Sequence, residues 1–295
     1  MKVWQKILLI FTLLVFLIGG LYYDTFYVAP SRFKVRYETI SSTKIPTQLN
    51  DVNILFFSDV HYNNFMDEIR FNEVIQLIND TSADIVVFVG DLFDHPSNNI
   101  PSEEVLQKIT EQLKSISAPL GKFAVLGNHD LESETTKEMI SSVLHRADFE
   151  IITNRSIMIR NKGSEAINLI GLDSQLLGIP DLNTAFATVS PNSFNIVVSH
   201  TPDIADSLTP DLVDLQVSGH SHGGQVYFPI IGAFYTAPYA EIYNKGKYKI
   251  NDQFVLDVMN GIGTTKMDIR FLSDAEVVVY RLKKTIEPTP TPTTE

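Results

Sequence analysis

Short apolar runs alternate with amphipathic stretches along most of this chain. Residues 52–57, 85–89, 123–126, 167–170, 194–198 and 215–217 are compact runs rich in Val, Ile, Leu and Phe, and they read as buried strands. Between them, Phe71, Val74, Ile75 and Ile78 repeat at i, i+3, i+4, i+7, and Val105, Ile109, Leu113 and Ile116 keep a similar stripe. Each stripe predicts a helix with one buried face. A third helix is predicted around Met139, Ile140, Val143 and Leu144. Strand, helix, strand repeated through the first half predicts an α/β fold with parallel strands, and strand-like runs at Val255–Val258 and 276–282 follow late in the chain. Residues 32–40 alternate apolar and polar, as a half-buried strand does, so the folded domain starts early.

The first 23 residues break that rhythm. After Lys2 and Lys6, residues 7–23 run 17 positions without a charge until Asp24, at the short end of the ~20 residues that span a bilayer. The pattern admits an uncleaved anchor, a cleaved signal peptide or a buried core helix. Leu21, Tyr22 and Tyr23 after Gly19-Gly20 suit a membrane interface better than a cleavage site, so the anchor is the reading adopted. Both lysines precede the span and the next basic residue is Arg32. The N-terminus is therefore expected in the cytoplasm, with the rest of the chain outside the cytoplasmic membrane on a single-pass anchor. Residues 24–31 would form a spacer of at most ~30 Å if fully extended. Residues 287–295 (EPTPTPTTE) hold three prolines and no apolar packing residue, which predicts a disordered tail. The expected organisation is an anchor and linker at 1–31, one domain at 32–286, and the tail.

Composition narrows the function classes. The 295 residues are 44% hydrophobic and 20% charged, an ordinary globular balance, and the net charge of -12 argues against a broad basic surface for nucleic acid. With no cysteine, a disulfide framework, a thiolate metal site, a Cys nucleophile and a lipid-modified Cys anchor are all excluded.

The chemistry sits at the ends of the predicted strands. They deliver in turn Asp59 and His61, Asp91 and Asp94, Asn128-His129-Asp130, His200, and His220 with His222. In open α/β sheets the crevice beyond the carboxyl ends of the strands is where ligands bind. Five of the seven histidines fall in these segments; His95 and His145 do not. Singly, each segment reads as a turn or a cap, but Gly-x-His-x-His can turn both imidazoles to one side of an extended segment. Five strand ends each presenting Asp, Asn or His point to a metal site. Imidazole, carboxylate and amide donors suit zinc, iron, manganese or nickel, and the lack of thiolates argues against a closed structural zinc site.

These segments, Asp59-x-His61, Gly90-Asp91-x-x-Asp94, Gly127-Asn128-His129-Asp130, His200 and Gly219-His220-x-His222, resemble in order and spacing the motif set of the calcineurin-like metallophosphoesterases. The resemblance runs from about residue 32 to 282. Residues 219–225, 260–264 and 269–271 look most like the bacterial membrane-associated branch that includes the YkuE and YaeI proteins, which also resembles UDP-2,3-diacylglucosamine pyrophosphatases. It implies a four-layer α/β-β/α sandwich of two mixed sheets flanked by helices. It also implies that Asp59, His61 and His222 bind one metal, Asn128, His200 and His220 a second, and that Asp91 bridges both. Two ions ~3.5–4 Å apart can activate a water and neutralise phosphoryl oxygens. His129 would serve the leaving group as general acid, with Asp94 fixing its tautomer. Asp130 is read as a helix cap in preference to a residue supporting the ligands.

Where family members that act on phosphoproteins continue Gly-Asp-x-x-Asp with Arg-Gly, this chain has His95-Pro96, which argues against a protein phosphatase. His95 itself reads as an exposed loop residue. Basic residues near the motifs are few, so a phosphodiester or pyrophosphate is expected over a phosphomonoester, and Arg270 is the candidate cation for it. The aromatics of 227–248 read as cover for the core or as a rim for a lipid-linked substrate. A metal-dependent nuclease and a non-catalytic metal-binding membrane protein are the alternatives. No stable nucleic-acid partner is expected.

Overall fold

The computed structural model describes residues 1–62 and 65–286; the expected tail at 287–295 lies outside the described residues. Helix α1 (Val3–Tyr23) leads in chain order to β1 (Phe33–Ser42), β2 (Asn53–Phe57), α2 (Glu68–Asp80), β3 (Ile85–Phe88), α3 (Glu103–Lys114), β4 (Lys122–Ala124), α4 (Glu134–Arg146) and β5 (Phe149–Ile151). There follow β6 (Arg155–Ile159), β7 (Ile167–Gly171), α5 (Leu182–Phe186), β8 (Asn195–Val198), β9 (Leu215–Ser218), the short pair β10 (Tyr227–Phe228) and β11 (Gly232–Ala233), β12 (Gly246–Lys249), β13 (Val255–Val258) and β14 (Ala275–Lys284).

Two six-stranded mixed sheets form, ordered β1-β14-β2-β3-β4-β5 and β12-β13-β9-β8-β7-β6. The two-residue period of the strands sorts side chains between layers. Ile54 and Phe56 of β2 and Ile85 and Val87 of β3 join Leu169, Ile196, Val198 and Val217 in the core between the sheets. Their neighbours Leu55, Phe57, Val86 and Phe88 turn outward onto Phe71, Val74, Ile109, Ile140 and Val143 of the three helices. The sandwich is the one expected. Its fourth layer is thinner, because Val197, Leu256 and Val258 are covered by the five-residue α5 and by 3-10 turns carrying Ile204 and Ala205.

The N-terminal segment reaches less far than its fully extended upper bound. Residues 24–31 are helical and continue α1 into the domain, with Ala29 and Pro30 buried. The eight residues rise at helical rather than extended pitch, so the spacer reaches about 12 Å instead of ~30 Å. Pro30 is compatible because it stands in the first turn of a new helical segment, where its missing N–H is not needed. α1 buries none of its side chains and is long and apolar enough to cross a membrane.

Candidate metal centre and active site

The turns after β2, β3, β4, β8 and β9 meet at one end of the sandwich. Side chains of Asp59, His61, Asp91, His200, His220 and His222 are buried there. Five of these six, all but His200, have positive φ between 46° and 68°, a region that costs an ordinary residue energy and that recurs where geometry is fixed for function. The turns are locked to each other. Asp59 N donates to Gly90 O (2.9 Å) and Val60 N to Asp91 O (2.9 Å), and a Cβ at Gly127 would collide with the Asp91 carboxylate, so only glycine lets these turns approach.

Two groups of donors face one another across this floor: Asp59, His61 and His222, and Asp91, His200 and His220. Asp91 Oδ2 lies 3.1 Å from His200 Nε2 and 3.5 Å from His61 Nε2, between the groups, while its Oδ1 accepts from His129 N at 2.8 Å. Each imidazole has one nitrogen occupied outward, which aims the other inward. His200 Nδ1 meets Val89 O (2.7 Å), His220 Nε2 meets Pro238 O (2.8 Å), and His222 Nδ1 meets Gly263 O (3.2 Å). His61 Nδ1 faces Asp94 Oδ1 at 3.4 Å. Such outer partners are how ligating histidines are oriented. His61 Nε2 and His222 Nε2 are left 3.2 Å apart, and among the described residues Asn128 Oδ1 is buried without a hydrogen-bond partner.

The electrostatics ask for cations. Burial pushes His220 down to about 4 and His222 to about 3, which keeps both neutral. Burial also opposes charge on His200, but Asp91 and Asp59 outweigh it and carry that group up to about 10. The two carboxylates thus draw positive charge to the middle of the donor set, and a metal ion satisfies the same field. The residues present fit two ions held by N and O donors.

Three expectations change. Asp130 does not cap α4; Ser133 does, accepting from Thr136 N at 3.1 Å. The Asp130 carboxylate is buried and accepts from the N–H groups of Asp91 (2.8 Å), Leu92 (2.9 Å) and Gly127 (2.9 Å), pinning two turns together. Burial and the Asp91 charge raise it to about 6. Arg270 does not reach toward a phosphate either. It is fully buried, and its guanidinium donates to the carbonyls of Ser273 (2.7 Å), Asn260 (3.1 Å), Gly261 (3.1 Å) and Gly263 (2.6 Å). Finally, His129 Nδ1 accepts from His95 N at 3.3 Å and has the Glu132 carboxylate beside it at 3.1 Å; Asp94 lies in one cluster with His61 and His129.

Glu132 escaped the sequence reading. Its one signal was its place three residues after His129, a spacing that puts two side chains on the same side of a helical turn. Its Oε1 also lies 2.8 Å from Nδ1 of His95, which is half exposed as expected of a loop residue. Burial and the nearby imidazoles lower His129, against the pull of Asp91.

Above the floor opens a cavity of about 380 Å³ whose upper wall is apolar, with Phe234, Tyr235, Met267 and Ile269 among its lining. The aromatic stretch divides between its two readings. Tyr243 and Tyr248 meet edge to face against the core behind the second sheet, whereas Phe234 and Tyr235 are 79% and 54% exposed at the cavity.

Comparison with known proteins agrees with this geometry. The calcineurin-like phosphoesterase family matches residues 52–224. The metallophosphoesterase YkuE of Bacillus subtilis is 32% identical over 267 residues, covering 90% of this chain and 91% of that protein. The UDP-2,3-diacylglucosamine pyrophosphatase LpxG of Chlamydia muridarum is 24% identical, over 79% of this chain and 84% of its own. A transmembrane protein with a metallophosphoesterase domain from Danio rerio is 25% identical, over 82% and 55%. With a family match over more than half its length and a relative aligned along nine-tenths of it, the chain belongs to the calcineurin-like phosphoesterases, hydrolases acting on phosphoesters.

Proposed function

We propose that this chain is a membrane-anchored, two-metal phosphoesterase that hydrolyses a phosphodiester or pyrophosphate on a lipid-linked substrate, with its domain on the extracytoplasmic side. The observation that carries the reading is the cavity itself, which joins a buried donor floor to an apolar upper wall. Among the described residues, Lys266 is the one lysine or arginine that lines it. So weak a cationic complement suits a diester or diphosphate linkage better than a phosphomonoester dianion. An activity on a lipid-linked diphosphate belongs by name to the LpxG relative.

In this reading Asp59, His61 and His222 would hold one ion and Asn128, His200 and His220 the other, with Asp91 shared between them; manganese, iron, zinc or nickel all suit these donors. When bound, the ions supply Lewis acidity toward phosphoryl oxygens and a water nucleophile at neutral pH. The chain's own residues do the rest. His95 N donates to His129 Nδ1 at 3.3 Å, which places the proton of the neutral imidazole on Nε2, where it can protonate the departing oxygen, with the Glu132 carboxylate beside the ring. Asp94 keeps His61 oriented. Phe234 and Tyr235 exclude water from the upper side and cover the apolar part of the substrate.

The test is hydrolysis by the full chain in nanodiscs, loaded with manganese, of bis(p-nitrophenyl) phosphate, p-nitrophenyl phosphate and a lipid-linked sugar diphosphate. Diester and diphosphate turnover well above that of the monoester is expected. A monoester preference would overturn the substrate class while leaving the family intact.

A further inference from the structure

The hairpin β10–β11 gathers strongly exposed apolar residues at one place on the domain surface. Ile230 and Ile231, at its turn, are 99% and 83% exposed, and Phe234 follows at 79%. Apolar exposure this complete on a folded domain marks a surface made for contact.

What lies beside it names the contact. Arg270 N donates to Thr25 O at 3.1 Å, where the long N-terminal helix enters the domain. The next residue, Phe271, accepts from Tyr227 N through its carbonyl (2.9 Å) and packs its ring at a tilt against Phe228 (centroids 5.4 Å), so the root of the hairpin is one residue from the docking point of the helix. Around that joint Tyr27, Met267 and Leu272 are exposed as well. The helix end is itself fixed, by Arg32 to Asp24 and Asp274 and by Arg70 to Pro30 O. A Cβ at Gly224, two residues past His222, would strike Ala233, so the hairpin also packs directly on the metal-site turn.

The charge beside the hairpin has the sign a lipid surface selects. Lys245 and Lys266 stand over the rings of Tyr227 (4.4 Å) and Tyr235 (4.2 Å). Aromatic rings with lysines at the same level are what a bilayer interface with anionic lipid accommodates.

We propose that the β10–β11 hairpin is a membrane wedge. Its tip, Ile230 and Ile231, enters the leaflet of the bilayer that α1 spans, so the mouth of the cavity rests on the lipid surface. The partner is the lipid bilayer itself, and the proposal deepens the anchored-phosphoesterase reading on which it rests. Tyr227 and Tyr235 would then sit at headgroup depth, and a lipid-linked phosphate would reach the donor floor without leaving the membrane.

The test uses the full chain in vesicles of phosphatidylcholine and phosphatidylglycerol. The native sequence has a single tryptophan, Trp4, so the double variant Trp4→Phe, Ile231→Trp reports on the tip alone. Lipids brominated near the headgroup end of their chains should quench its fluorescence at least twofold. A tip open to aqueous acrylamide and untouched by bromine overturns the wedge. Shielding that grows with protein density but not with bromination means a second copy covers the hairpin, and overturns it too. In activity, Ile230→Asn with Ile231→Asn should lower turnover of a lipid-anchored diester at least fivefold and leave bis(p-nitrophenyl) phosphate unchanged. Equal ratios in wild type and variant count against the wedge. If the wild type cleaves neither diester, the phosphoesterase reading fails, while the quenching result still decides the wedge.

Discussion

The floor and the upper wall of the cavity are built by opposite rules. Asp59 and His200 of the floor are 0% exposed, and every imidazole there is held by a carbonyl or a carboxylate. The wall's Phe234 and Tyr235 are more than half exposed and belong to a two-strand hairpin held by few backbone bonds. Chemistry that depends on sub-ångström donor placement is kept on rigid, buried turns. Recognition of an apolar substrate needs surface area and tolerates movement. The difference implies that substitutions in the floor stop the reaction, whereas substitutions in the wall change which substrate undergoes it.

The largest effect should follow from emptying the floor. Asp91→Ala or His220→Ala is expected to abolish both metal binding, read by elemental analysis of the purified chain, and turnover. Chelation of the wild type should lower its melting temperature as well. An ion at about 100 times its dissociation constant contributes ~2.7 kcal/mol to the folded state by mass action. A variant that retained two ions and full turnover would break the distinction at its root.

His129 tests whether the floor separates binding from catalysis. His129→Ala should keep both ions yet lose turnover by roughly 10² to 10⁴, the range for general acid-base catalysis. The loss should be greatest for esters with poor leaving groups. An equal loss across leaving groups would assign His129 to charge stabilisation instead.

The floor was legible in the sequence because polar and ionisable residues closing apolar strands have no packing explanation. Asp59, His61, Asp91, Asn128, His200, His220 and His222 do come together. Their supports were less legible. Asp130 precedes a helix and looks like its cap, and nothing local says that Ser133 takes the cap while Asp130 turns inward to three N–H groups. Arg270 is a cation placed late in the motif set, and only tertiary structure shows that it is spent on four carbonyls. The helical path of residues 24–31 was hidden by Pro30, which reads as a breaker unless a new helical segment starts there. Strands β5 and β6 and helix α5 lacked the length for a period to show.

Arg270 lies where the floor meets the end of the N-terminal helical segment. Besides its four carbonyls, its backbone N–H is tied to Thr25 O. Arg270→Met would leave the carbonyls of Ser273 and Asn260 without donors, while Gly261 O keeps Glu276 N and Gly263 O keeps His222 Nδ1; at roughly 1 to 3 kcal/mol for each one left unmet, only partly offset by relaxation, a stability loss of about 2 to 4 kcal/mol is expected. Burial lowers the guanidinium to about 10, so it keeps its charge at neutral pH, and the loss should appear in chemical denaturation at pH 7. An unchanged denaturation midpoint would show that the joint between helix and site is not held by this residue.

The smallest effect, and the one that most sharpens the comparison, belongs to the wall. Tyr235 is half exposed and lines the cavity, so a substrate's apolar portion can cover only part of its ring. Burying a whole large side chain is worth about 1.5 to 3 kcal/mol, and a partial contact about 1. Tyr235→Ala should therefore lower kcat/KM on a lipid-linked diester by about three- to tenfold. Rates on bis(p-nitrophenyl) phosphate, metal content and melting temperature should all stay as in the wild type, because no floor residue depends on the ring. A parallel fall on the soluble diester would mean that the wall participates in positioning the phosphorus, and the division of labour between floor and wall would have to be withdrawn.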